Sequence, residues 1–157
     1  MEKPANGTMT TGRLYAGSTS ATDPANNSTM DFADKDKDGN GDPFYPIFTT
    51  KPDAMTVWVK FKGNVKDHPY ATVKAILAND RVQDPEIDDY KKNVIARATN
   101  ATIESKNFAW QELNLPFKYE NKNTPKGVLV TISTNAVAGK ASRSEEHTSE
   151  LQSQFRI

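Results

Sequence analysis

The residues best suited to chemistry are the acids of Asp34-Lys35-Asp36-Lys37-Asp38-Gly39. Alternate carboxylates in a tight loop converge on a hard cation, and a glycine at the sixth position permits the sharp turn. Asn40 and Asp42 would add oxygens towards the roughly six to eight that calcium takes. Other features oppose a calcium loop: the twelfth position is Tyr45 rather than a bidentate Glu, Lys35 and Lys37 interleave the acids, and no helical pattern flanks the run. The competing reading is a solvated acidic turn that needs no ion. The fold requires no cofactor, and calcium is the one cofactor expectation.

Aromatic residues supply a second kind of site. Trp58 falls on the polar positions of an alternating run, where its indole face would suit the C–H groups of a sugar ring. In a packed sandwich it would instead cover the far side of the core, and burial is the expected outcome for so large a ring. Phe44 and Tyr45, in a loop, are the next candidates for sugar stacking. Trp110, Phe117 and Tyr119 read as core and edge packing. His68, between Asp67 and Pro69, sits in a turn, where a general acid or base would need a second group beside it. The acids from Asp84 to Asp89 have the composition of a glycosidase pair, but helix capping accounts for them. No catalytic residue is assigned.

Composition narrows the classes further. The chain has no cysteine, which excludes disulfides, zinc thiolates and a cysteine nucleophile. It carries 20 basic and 20 acidic residues. Without a basic excess, nucleic acid and anionic membrane surfaces are poor partners. No apolar run reaches the length of a membrane-spanning helix.

The elements that must position these residues are strands. In Ala54–Lys62, Met55, Val57, Val59 and Phe61 alternate with Thr56, Trp58, Lys60 and Lys62, a strict period of two. Tyr70–Ala78 repeats the pattern with Ala71, Val73, Ala75 and Leu77. Asn93–Ala98 reads as a strand. Phe108–Tyr119 places Leu113, Leu115 and Phe117 on one face, and Pro116 makes it an edge or a bulged strand. Lys126–Thr134 places Val128, Val130 and Ile132 together. Gly12–Ser18 and Thr29–Phe32 are shorter candidates. Asp84 and Pro85 predict one short helix, as N-cap and first helical residue. Strands at this spacing with little helix indicate an all-β sandwich or jelly roll of two sheets.

Three groups of motifs in order resemble the PCMD family of carbohydrate-metabolism domains. The first is Gly12-Arg-Leu-Tyr-Ala-Gly17, Gly41-Asp-Pro-Phe44 and Lys51-Pro52 leading into Val57–Phe61. The second is Trp110-Gln-Glu-Leu113 ending at Pro116-Phe-Lys-Tyr119. The third is Val128–Asn135 followed by a glycine. The resemblance spans about residues 12–140. It implies a β-jelly-roll domain of secreted or surface lipoproteins of Bacteroidetes, extracytoplasmic and tied to glycan use. It brings no catalytic residues.

Residues 143–157 stand apart. The first eleven residues of RSEEHTSELQSQFRI resemble the translation of a widely used short-read sequencing adapter. The expected organisation is therefore a loose segment over 1–11, a PCMD-like jelly roll over 12–142 truncated at both ends, and a translated adapter over 143–157 outside the fold. The expected function is a non-catalytic, carbohydrate-binding-like accessory domain whose partners are a glycan or other domains of a surface complex. A structural or assembly domain is the alternative, and a glycoside hydrolase ranks third.

Overall fold

The computed structural model describes residues 8–19, 23–61 and 69–134, together with the strand 151–156, whose side chains are not described. In chain order these form β1 (Thr8–Thr10), β2 (Arg13–Ala16), β3 (Asn26–Met30), β4 (Ala54–Phe61), β5 (Tyr70–Ala78), β6 (Val82–Asp84), α1 (Asp88–Lys91), β7 (Val94–Glu104), β8 (Gln111–Pro116), β9 (Lys118–Tyr119), β10 (Gly127–Ser133) and β11 (Leu151–Arg156). The strands make three antiparallel sheets, ordered β1-β10-β5-β7-β9, β11-β4-β8 and β2-β3-β6. The chain is an all-β sandwich.

The core follows from side-chain alternation. Met55, Val57, Val59 and Phe61 point inward from β4 and meet Val73, Ala75, Leu77, Val128, Val130 and Ile132 from the five-stranded sheet. The apolar sets predicted from the sequence are buried there, except that Leu113 is only partly buried against the core. Each large side chain so buried contributes about 1.5–3 kcal/mol. Leu115 and Phe117 also belong to this core.

A second core lies on the other face of the five-stranded sheet. Ile76, Ala78, Val94 and Leu129 point away from the first core and meet Met30 and Val82 of the small sheet, with Phe32 and Tyr45 packed against them. The two-sheet expectation is thus corrected to three. β5 and β10 are buried on both faces along much of their length. A third layer is the physical consequence, because Ile76 and Leu129 would otherwise face water.

Local corrections follow from tertiary partners. Thr8–Thr10, inside the segment expected to be loose, pairs with Thr131–Ser133 at the edge of β10. Thr11 extends the attachment: its N–H donates to the Val130 carbonyl at 3.1 Å, and its hydroxyl accepts from the Val130 N–H at 2.9 Å. α1 begins later than predicted, after Ile87, which makes no side-chain cap. Asp84 is unavailable to cap it, since Asp84 ends β6 and accepts from Lys74 Nζ at 3.0 Å. The strand predicted over Phe108–Tyr119 divides at Phe117: β8 pairs with β4, whereas β9 pairs with β7 in the other sheet. Pro116, which has no N–H to donate, stands at the point where the chain changes sheets.

Leu151–Arg156 was expected to lie outside the fold, and it pairs antiparallel with β4 from Phe61 to Thr56. The free edge of β4 presents a row of N–H and C=O groups that any extended segment can pair. Such backbone pairing requires no particular side chains, so it does not bear on the origin of residues 143–157.

Candidate functional site

Two exposed aromatics, Trp58 and Trp110, lie on or beside the outer face of β4 and β8. Because Met55, Val57, Val59 and Phe61 point inward, Thr56, Trp58 and Lys60 point outward. The antiparallel register sets Trp58 opposite Glu112 and Thr56 opposite Asn114. Opposed residues of this kind have Cβ atoms about 5 Å apart. Trp58 is 43 % exposed and Trp110 is 42 % exposed. The expected burial of Trp58 is therefore corrected, as is the reading of Trp110 as packing. The second core forms behind the five-stranded sheet, and among the described residues no layer covers the outer side of β4.

The loop that precedes β8 completes this face. Ser105 Oγ donates to the Phe61 carbonyl at 2.7 Å, and Gln111 Nε2 donates to the Glu104 carbonyl at 2.8 Å. A turn between them is closed by Ala109 N–H donating to the Lys106 carbonyl at 2.9 Å. Within it Asn107 and Phe108 have φ of 51° and 61°. Left-handed backbone at a residue with a Cβ costs roughly 1–2 kcal/mol and collects at functional sites. Here it carries the Phe108 ring to 4.4 Å from Lys60 Nζ, with the Trp110 ring at 5.2 Å. Among the described residues, no carboxylate lies within ion-pair distance of that ammonium. The face thus presents two indoles, a cation held on aromatic rings, and the polar groups of Glu112 and Asn114.

Phe44 and Tyr45 do not join Trp58. Tyr45 packs on Phe32, ring centroids 4.5 Å apart, at the margin of the second core. Phe44 lies under the Arg13 guanidinium, 3.9 Å from its ring centre. It lines a separate groove of about 800 Å³ with Met9, Leu14, Tyr15 and the Arg13–Asp34 pair.

The acidic loop is organised by that same arginine. Arg13 grips Asp34 through two nitrogens, Nη2 donating to Oδ1 at 3.0 Å and Nε bonding Oδ2. The arginine hydrogen bond holds the Asp34 carboxyl below its ordinary range. Asp38 accepts from the Asn40 N–H at 2.9 Å and from its side-chain nitrogen at 3.0 Å. Asp36 N–H donates to the Asp42 carbonyl at 2.7 Å, and Gly39 and Gly41, with φ of 94° and 74°, turn the loop. Among the described residues no three acids converge as a metal shell would need.

Asp84 and Glu86 also have a partner that sequence spacing missed. Lys74 Nζ lies 3.0 Å from Asp84 and 2.7 Å from Glu86, and Arg97 holds Glu86 at 2.6 Å and Glu120 at 2.6 Å. Burial raises the Glu86 pKa, but hydrogen bonds from Arg97 and Lys74 outweigh it and bring the group down to about 2. A carboxyl ionised so strongly cannot act as a general acid near neutral pH. His68 lies outside the described residues.

The residues missed by sequence reasoning are Lys60, Phe108 and Trp110. For Trp110 a signal existed: it has the same parity as Glu112 and Asn114, opposite to Leu113, Leu115 and Phe117. No family model matches this chain, and neither a curated protein nor a solved structure matches it.

Proposed function

We propose that this chain is a non-catalytic glycan-binding accessory domain that works outside the cytoplasm. The observation that carries the reading is the pair of exposed indoles, Trp58 and Trp110, on the outer face of one sheet. Flat aromatic faces suit the axial C–H groups of pyranose rings, and neighbouring polar groups fix hydroxyls. A strand holds Trp58 and the hydrogen-bonded turn before β8 holds Trp110, which limits the entropy lost on binding. The PCMD-like order of motifs points the same way and supplies the extracytoplasmic setting. Glycan-array binding of the intact chain, compared with Trp58→Ala, tests the proposal. Binding should fall about tenfold or more in the variant while the melting temperature hardly moves, because Trp58 is not in the core. Absence of binding across a broad set of host and plant glycans would overturn it.

The groove beside β2 favours a second reading, a domain that packs on a neighbour. Met9, Leu14, Tyr15 and Phe44 are exposed around it. Exposed apolar patches of this kind mark interaction surfaces. Loss of an assembly with Leu14→Asp, with glycan binding intact, would identify that role.

A further inference from the structure

On the outer face of β4, Lys60 has no carboxylate partner among the described residues. Lys60 Nζ rests 4.4 Å from the Phe108 ring and 5.2 Å from the Trp110 ring. Ring faces attract the ammonium but do not cancel its charge or saturate its three N–H donors. Other cations of the fold are placed differently: Lys74 and Arg97 hold Glu86, and Arg13 holds Asp34. The loop that brings Phe108 under Lys60 has two successive non-glycine residues in left-handed backbone, Asn107 and Phe108. Strain of that kind persists where the surrounding structure requires it.

We infer that this face takes an acidic glycan, with a uronate ring stacked on Trp58 and its carboxylate on Lys60; this rests on the glycan-binding reading above. The dimensions agree. Trp58 and Lys60 are two residues apart on one strand face, which is about 7 Å. A pyranose centred over the indole, with C6 directed along β4, brings its carboxylate within reach of the lysine. Glu112 sits across from Trp58 and repels a carboxylate turned towards β8. Its charge therefore selects the orientation along β4 and leaves the ring hydroxyls for Glu112 and Asn114. The bond formed at Lys60 is a charge-assisted hydrogen bond, the strong kind, at an aromatic surface that excludes part of the water.

The test uses short oligouronates of galacto, gluco and manno configuration, each paired with its methyl ester. The ester keeps linkage and shape and removes only the charge. The intact chain should bind at least one acid on the order of tenfold more tightly than its ester. The preference should weaken as salt rises. Lys60→Gln should bring acid and ester to the same affinity, while Trp58→Ala should weaken both. Circular dichroism melting of both variants would establish that they fold. Equal binding of acid and ester by the unaltered chain would overturn the acidic-glycan inference and leave the glycan-binding reading standing. Binding of neither in every pair would overturn the inference, and a blank glycan array besides would overturn both.

Discussion

Replacing Glu86 by Gln removes the charge that joins Lys74, Arg97 and the loop after β6. Glu86 lies 2.7 Å from Lys74 Nζ and 2.6 Å from Arg97 Nη2, and its side chain is only 16 % exposed. A carboxyl held at about 2 against an ordinary 4.5 contributes about 3 kcal/mol to folding at neutral pH. Removing one partner of a fully buried pair costs about 3–5 kcal/mol. The cost here falls at the low end, because Lys74 keeps Asp84 and Arg97 keeps Glu120. The sign of the pH dependence follows from the depressed value. The contribution is complete above the unfolded pKa, near 4.5, and is lost as pH falls through the folded pKa, near 2. Urea unfolding of both proteins at pH 7, pH 4.5 and pH 3 measures it. The unaltered chain should be more stable by about 3 kcal/mol at pH 7, and roughly half of that difference should remain at pH 3. A difference under 0.5 kcal/mol at pH 7, or one that stays constant down to pH 3, would refute the account of Glu86 as an ionised anchor.

The second core and the acidic loop can be tested in the same way. Leu129→Ala opens a cavity between β10 and the small sheet, and urea unfolding should show a loss of about 2–5 kcal/mol, since Leu129 is 1 % exposed; a loss under 1 kcal/mol would mean that the third layer is not packed. Titrating calcium while following thermal unfolding should give no rise at millimolar concentration, because Arg13 already holds Asp34. A bound ion would add about 3 kcal/mol at a hundredfold excess over Kd, and a rise of that size would show the loop rearranging around it.

The alternating runs of β4, β5 and β10 were legible because a period of two follows from backbone geometry alone. The inward set from Met55 to Phe61 needs no tertiary information, and neither does the outward parity of Trp58; Trp110 shares the parity of Glu112 and Asn114 but was read as packing. The sequence alone also excluded every chemistry that depends on cysteine. Periodicity tells which residues share a face, but not what lies against that face. Val128, Val130 and Ile132 were read as one buried side of a strand, whereas Leu129 on the other side is buried as fully. The unbroken apolar run Val128-Leu-Val130 carried a hint of this, since strands covered on both faces lose their alternation. Whether a third sheet supplies that cover depends on β3 and β6, which are too short and polar to announce themselves.

Charged residues show the same limit more sharply. Asp34, Asp36 and Asp38 have the spacing of ion ligands, and Asp84 has the position of a helix cap. Spacing along the chain measures only what local neighbours can share. Arg13 reaches Asp34 from 21 residues away, and Lys74 reaches Asp84 from 10. A carboxylate takes the strongest donor brought to it, and only the folding of distant strands onto one another decides which donor that is.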